Sequence, residues 1–101
     1  MSNATAEATI TAQNTFTPWV RLRGAFNVVL TTEDTTWTNG SVVTLQRSFD
    51  GGDTVSDVRL WAEDPGEAQL GYEPEDGVLY RLGVKTGDFE AGDSLPLRLS
   101  Q

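Results

Sequence analysis

The sequence contains neither cysteine nor histidine among its 101 residues. The absence of cysteine excludes disulfides, thiol nucleophiles and thiolate metal ligands. The absence of histidine removes the usual general base of enzymes and the commonest ligand of transition metals. The sequence therefore predicts a protein that is not an enzyme and that holds no cofactor or metal ion.

Long hydrophobic stretches are also missing. No apolar run approaches the roughly 18 residues of a membrane-spanning helix. Residues 1–14 lack the basic start and the hydrophobic core of a signal peptide. We therefore expect a chain that is made in the cytoplasm and has no membrane partner.

Basic residues are scarce relative to acidic ones. Seven Lys and Arg residues against fifteen Asp and Glu residues give a formal net charge of -8. Such a field repels phosphate backbones, so we expect no nucleic-acid partner. The acidity either keeps the protein soluble at high local concentration or complements a basic surface on a partner, and the charge alone leaves both open.

Apolar residues, by contrast, are well represented. The chain is 38% hydrophobic and contains four Phe, three Trp and two Tyr. A chain of this length buries roughly 60–70% of its unfolded surface on folding, so one domain forms a core without disulfide or metal staples. We predict an N-terminal arm or edge strand over residues 1–14 and a single folded domain over residues 15–101.

Alternation of apolar and polar residues, which indicates strands with one buried face, recurs along the chain. It is clearest over residues 20–30, 43–49, 78–85 and 95–99. A return strand is also expected over residues 55–61, after the glycines of the hairpin, and a short strand over residues 69–73. Turn dipeptides separate these segments, at Asn39-Gly40, Pro65-Gly66 and Asp76-Gly77. No window has convincing helical periodicity. The pattern predicts an all-β protein, an immunoglobulin-like or jelly-roll β-sandwich of about seven or eight short antiparallel strands.

Two further expectations concern the sheets. Pro96 has no N–H to donate to a neighbour, which places the last strand at a sheet edge or places Pro96 at the strand's own start. Arg47 and Arg81 fall on opposite faces of their alternating patterns. Both arginines are therefore expected on sheet surfaces.

One hairpin carries a recognisable turn motif. Residues 48–54 fit the Ser-x-Asp-x-Gly-x-Thr pattern of the Asp box, a hairpin found in sialidases and in many unrelated β proteins. Ser48 and Asp50 are expected to bond turn amides, Gly52 to take a positive φ, and Thr54 to return a hydroxyl bond. The Asp-box pattern ends in an aromatic residue, where this chain has Val55. We interpret the motif as a structural turn and not as an active site.

Clustered carboxylates require that calcium binding and glycoside hydrolysis be considered. Acidic residues group within 50–57, 63–67 and 73–76. None of these groups has the spacing of a calcium-binding Asp-x-Asp-x-Asp-Gly loop. A pair of catalytic carboxylates needs an enclosed cleft, which a domain this small seldom provides. We therefore expect these acids to be solvated loop residues.

The three tryptophans are candidates for a sugar-stacking platform or a protein interface. Trp61 is expected in the core or at its margin. Trp37 lies in a polar loop and is the best candidate for exposure, with packing on the domain as the alternative. Trp19 is a weaker candidate.

Three stretches resemble small structural proteins of tailed bacteriophages. They are residues 43–52 (VTLQRSFDGG), residues 77–83 (GVLYRLG), and residues 85–88 (KTGD) leading to 97–101 (LRLSQ). The resemblance covers about the C-terminal 60 residues. It implies a virion protein made in the host bacterial cytoplasm, either a capsid decoration or cement protein on the capsid exterior or a minor structural protein of the virion.

The resemblance implies specific partners. They are the major capsid protein and copies of the chain itself, commonly as a homotrimer. The N-terminal segment is then expected to contact a neighbouring subunit or the capsid lattice, because an edge strand or arm is readily added to another sheet. The candidate interface residues are Thr5, Ile10, Phe16 and Trp37.

Two alternatives of other classes remain. One is a tail, fibre or baseplate module that binds host carbohydrate through Trp37 and nearby acidic loops. The other is a tail-tube or connector subunit that forms rings. An enzyme is the class that the sequence favours least.

Overall fold

The structure, a computed structural model, describes residues 4–101 and has nine strands in that range. They are β1 (Thr5–Ile10), β2 (Thr15–Phe16), β3 (Val20–Arg21), β4 (Gly24–Val29), β5 (Val43–Ser48), β6 (Ser56–Trp61), β7 (Gln69–Glu73), β8 (Leu79–Val84) and β9 (Leu95–Ser100). No helix occurs within the described range. It follows that this part of the chain has no helix able to span a membrane.

The strands form two antiparallel sheets. The first sheet has the order β1-β9-β4-β7, and the second has β2-β8-β5-β6 with β3 also paired to β8. The pairs are nested: β1 with β9, β2 and β3 with β8, β4 with β7, and β5 with β6. Nested pairs divided between two sheets are the connectivity of a jelly roll. The predicted all-β sandwich is confirmed, and its strand order is the jelly-roll alternative.

The core lies between the two sheets and spans both. It contains the apolar members of the alternating patterns, because successive side chains of a strand point to opposite faces. Trp61 is buried with them, as predicted. The largest contributions come from β4 (Phe26 and Val28), β8 (Tyr80, Leu82 and Val84) and β9 (Leu95, Leu97 and Leu99).

The N-terminal segment is an edge strand of the domain. All six residues of β1 pair in regular register with β9. Ala6 and Ile10 are buried beneath the first sheet. Of the two alternatives for this segment, residues 5–10 are therefore the edge strand, while residues 1–3 of the predicted arm lie outside the described range.

The last strand is not a sheet edge, contrary to one of the two alternatives for Pro96. β9 lies between β1 and β4. Its pairing with β4 begins only at Arg98, whereas Pro96 pairs on the β1 side alone, opposite Thr9. Pro96 is tolerated because it stands near the start of the strand, where β9 still has a single neighbour.

Candidate functional site

The turn of residues 48–54 makes local hydrogen bonds of the kind the Asp-box motif predicts. The hydroxyl of Ser48 donates to Asp50 Oδ1 at 2.8 Å and accepts the N–H of Gly52 at 2.9 Å. Thr54 N–H donates to Asp50 Oδ1 at 2.8 Å. Hydrogen bonds from Thr54 and Ser48 lower the pKa of Asp50 to about 2. The carboxylate is thus occupied by its own turn, and Gly52 has the positive φ of 101° that was expected.

An aromatic sandwich holds Arg81 on the outer face of the second sheet. Its guanidinium lies 4.1 Å from the centre of the Phe16 ring and 4.5 Å from that of Trp19. Gly52 lies against the indole nitrogen of Trp19, where a Cβ would come within 3.0 Å of it. Burial lowers the pKa of Arg81. Both aromatic rings are therefore committed to the domain's own surface, with Arg81 placed as predicted.

A chain of polar contacts continues from this sandwich. Arg81 Nε donates to Gln46 Oε1 at 2.8 Å, and Gln46 Nε2 donates to Asp57 Oδ1 at 2.9 Å. Lys85 Nζ donates to the other oxygen of Asp57 at 2.7 Å. The hydrogen bond from Lys85 is the largest cause that lowers the pKa of Asp57. These side chains bond to one another, which leaves few free polar groups for a ligand on this face.

A second charged cluster links the two sheets from the inside. Glu73 of β7 is fully buried and accepts hydrogen bonds from Arg47 at 2.5 Å and from the Tyr80 hydroxyl at 2.6 Å. Glu75 N–H donates to its other oxygen at 3.0 Å. Burial favours the protonated acid, but these hydrogen bonds outweigh it and lower the pKa of Glu73. The prediction that Arg47 is a sheet-surface residue is wrong, because this inward-facing carboxylate requires a cation.

The same cluster affects Tyr80. Burial and the hydrogen bond to Glu73 raise the pKa of the Tyr80 hydroxyl well above its ordinary value. A phenol held in this way keeps its proton and donates it as a hydrogen bond. The arrangement of Glu73, Arg47 and Tyr80 joins β7 of one sheet to β5 and β8 of the other, so we assign it to the fold.

Trp37 is buried, so of its two alternatives the structure has packing on the domain and not exposure. Its indole N–H donates to the carbonyl of Ser41 at 2.7 Å. Asp93 holds the surrounding loop in place, because its carboxylate accepts hydrogen bonds from the backbone N–H groups of residues 38, 39 and 41. Burial opposes ionisation of Asp93, but hydrogen bonds from Ser41 and the loop backbone outweigh it and lower its pKa.

The four candidate interface residues do not form one surface. Thr5 is exposed on β1, while Ile10 and Trp37 are buried in the core. Phe16 is half-buried and stacked on Arg81. Ile10 and Trp37 therefore cannot contact a partner in this fold, and their nomination as interface residues is corrected.

Exposed apolar side chains lie elsewhere. Among the described residues, all the exposed large hydrophobic side chains fall between positions 49 and 72. One group, called here the β7 patch, lies on β7 and consists of Leu70 and Tyr72. The other, called the β6 patch, lies on β6 and the turn before it and consists of Phe49, Val55, Val58 and Leu60.

Both patches lie on the same side of the sandwich. β6 and β7 are the edge strands of their sheets, and the opposite edges, β1 and β2, contact each other. The sequence predicts a strand at each of these positions but gives no sign that its apolar side chains stay exposed. Whether these side chains stay exposed depends on the edge position of their strands, which is set by pairing between residues far apart in the sequence.

An open groove of about 840 Å³ crosses the outer face of the first sheet. Its walls come from β1, β4 and β9 and from the segment before β7. The charged side chains along it are Glu7, Glu67 and Arg98. Among the described residues, no three acidic side chains are grouped so as to hold a metal ion.

Comparisons with protein-family models, with curated proteins and with solved structures found no match to this chain. The functional assignment therefore rests on the residues and their geometry.

Proposed function

We propose that the chain is a non-enzymatic structural protein of a tailed-phage virion, a decoration protein that binds the exterior of the assembled head. The observation that carries the proposal is the β6 patch. Four large apolar side chains, 37% to 59% exposed, are concentrated on one hairpin at a sheet edge. Single exposed apolar residues are normal on a protein surface, whereas a concentrated patch is typical of a binding surface.

The geometry of β6 favours contact through side chains over strand addition. Val58 has no partner on β5, because the register shifts by one residue there. This bulge, with the charged side chains of Asp57 and Arg59 on either side, hinders pairing with a foreign strand. A partner would instead pack on Val58 and Leu60.

The charge of the chain supports binding to a crowded lattice. A net charge of -8 complements a basic surface on a partner. Many identical weak contacts on a lattice then act together. The partners in this proposal are the major capsid protein and further copies of the chain.

The jelly-roll fold is compatible with the proposal but does not carry it. Jelly rolls occur in viral capsid proteins, in lectins and in cupins. Fold alone therefore does not choose a function. The tailed-phage part of the proposal rests on the resemblance of residues 43–52, 77–83 and 85–88 with 97–101 to phage structural proteins, and the β6 patch supports a binding surface.

The carbohydrate-binding alternative no longer has the exposed tryptophan on which it depended. That alternative relied on an exposed Trp37, which is buried with its indole N–H bonded to Ser41. Nothing in the geometry favours the ring-forming tail-tube alternative. We therefore retain the decoration protein as the single proposed function.

A head-binding assay with two matched variants tests the proposal. Heads lacking the protein are mixed with the purified chain and pelleted, and the bound fraction is measured. Leu60→Gln removes apolar contact from the β6 patch and is expected to weaken binding about tenfold, which corresponds to about 1.4 kcal/mol. Asn27→Gln, on the exposed outer face of the first sheet, is expected to bind like the wild type. Equal binding by wild type and Leu60→Gln, or no binding by either, would contradict the proposal.

A further inference from the structure

The two sheets of the jelly roll have four edges, and three of them have a feature that hinders pairing with a strand of another chain. The edge formed by β2 and β3 consists of two strands of only two residues each. β6 has the bulge at Val58 and two charged side chains. β1 is regular but presents only small or charged side chains on its exposed face, Thr5, Glu7 and Thr9.

The fourth edge, β7, has no bulge and no charged side chain on its outer face, and its one charged residue, Glu73, points inward and is paired with Arg47. Its five residues pair with β4 in unbroken register. On its outer face, Leu70 and Tyr72 are 66% and 69% exposed. Native proteins usually guard such an edge with a charge, a proline or a bulge, because its free N–H and C=O groups can pair with another strand. An unguarded apolar edge is thus the surface best suited to strand pairing.

We propose that β7 pairs antiparallel with β7 of a second copy of this chain, about a two-fold axis at Gly71. The two copies would then share one continuous eight-stranded sheet, with the order β1-β9-β4-β7 followed by its reverse. This proposal goes beyond capsid binding and does not depend on it.

The sequence of β7 is self-complementary about that axis. Pairing centred on Gly71 places Leu70 opposite Tyr72 of the second copy and, by symmetry, Tyr72 opposite Leu70. Both pairs lie on the outer face, where aromatic and aliphatic neighbours on adjacent strands stabilise a sheet. Such a two-fold contact uses the same surface on both copies and closes after two subunits.

Gly71 itself is required by the core of each copy. A Cβ at this position would collide with the ring of Phe26 on the neighbouring strand. The need for space beside Phe26 therefore explains why position 71 is a glycine. Contacts within one chain do not explain in the same way why Leu70 and Tyr72, on the outer face, are exposed.

Charge sets the expected strength of the contact. Glu67 and Glu75 lie just beyond the two ends of β7, so antiparallel pairing brings the acidic end of one copy near that of the other at both ends of the paired strands. Salt screens this repulsion. We therefore expect a weak dimer whose association increases with ionic strength, with a dissociation constant on the order of micromolar because the contact is small.

Sedimentation equilibrium of the full-length chain tests the association. The wild type is expected to show a monomer–dimer equilibrium that shifts toward dimer at high salt. Leu70→Lys is expected to raise the dissociation constant at least about tenfold. Leu60→Lys, an identical substitution on the β6 edge, is the matched control and is expected to dimerise like the wild type. Circular dichroism checks that both variants keep the β fold.

Cross-linking tests the register, and the absence of native cysteine makes it specific. Leu70→Cys mixed with Tyr72→Cys is expected to form a disulfide-linked dimer on mild oxidation, because facing residues lie about 5 Å apart. Leu70→Cys alone is expected to cross-link poorly, because its own copy lies diagonally at about 7–8 Å.

Three results would overturn the pairing. They are a monomer at every concentration and salt, a trimer as implied by the resemblance to decoration proteins, and equal cross-linking of the single and mixed cysteine variants. None of these measurements uses capsids, so failure of the pairing and failure of the proposed function are observed separately.

Discussion

At the scale of single residues, the buried carboxylate of Glu73 is the most consequential group in the molecule. Arg47, Tyr80 and the Glu75 amide all donate to it. Removing one partner from a buried charged network leaves the others without satisfied hydrogen bonds. The three side chains lie on three strands of two sheets, so the cluster fixes how the sheets are packed on each other.

Glu73→Gln is therefore expected to destabilise the protein by about 2–3 kcal/mol at neutral pH. The substitution keeps the size of the side chain and removes the charge. The control is Asp76→Asn, since the pair of Asp76 with Arg23 is largely exposed and exposed pairs contribute about 0–1 kcal/mol. Urea unfolding of both variants measures the difference. Equal stability of the two variants would show that the buried pair adds nothing.

The pH dependence follows from the same group. The pKa of Glu73 is lowered in the folded protein, so its charged form stabilises the fold above the ordinary glutamate pKa. That stabilisation is lost as pH falls below the ordinary value toward the lowered one. The wild type is thus expected to lose stability on acidification, and Glu73→Gln to lose less over the same interval. Unfolding curves measured across the acid range check both slopes.

At the scale of elements, β1 is part of the domain, which changes what a truncation can show. Ala6 and Ile10 cover the edge of the core, and all six residues pair with β9. A deletion of the N-terminal segment exposes the leucines of β9 and leaves an unpaired edge. It therefore cannot serve as a test of capsid binding alone.

Deleting residues 1–10 is expected to lower the free energy of unfolding by more than about 3 kcal/mol, because buried Ile10 and a whole edge strand are lost. Circular dichroism and thermal unfolding measure the effect. Glu7→Gln, an exposed substitution on the same strand, is the control and is expected to leave stability nearly unchanged. A 1–10 deletion with wild-type stability would show that the β1 pairing is dispensable.

The strands themselves were predictable from sequence, since alternation over residues 78–84 and 95–99 follows the burial pattern closely. What could not be predicted depends on contacts between distant residues. From the sequence alone Arg47 is expected on the surface, because its partner Glu73 is 26 positions away in the chain and local patterns do not reveal it. Trp37 was expected to be exposed because its neighbours are polar, and its cover comes from Asp93 through bonds to the loop.

The candidate binding surfaces were missed for the same reason. The sequence indicated that residues 56–61 and 69–73 form strands, but not that both become sheet edges. Exposure of Leu60 or Tyr72 follows from the jelly-roll order, in which each strand lacks a neighbour on one side. Edge position is a property of the topology and leaves no local sequence signal.

At the scale of the whole molecule, the two patches lie on the neighbouring edge strands β6 and β7 of the two sheets. The edges at the other end of the two sheets, β1 and β2, contact each other. The β7 patch suits pairing with a second copy, and the β6 patch suits packing on a lattice. A paired dimer would still present two β6 patches, so self-association and capsid binding are compatible.

The number and position of copies in purified virions test the central claim most directly. Under the proposed function a tailed phage encodes the chain, and purified virions of that phage are separated on a quantitative gel and imaged. The proposed function predicts a fixed ratio of this chain to the major capsid protein, with regularly spaced density on the outside of the head. Absence from virions, or a few copies confined to the tail, would contradict it.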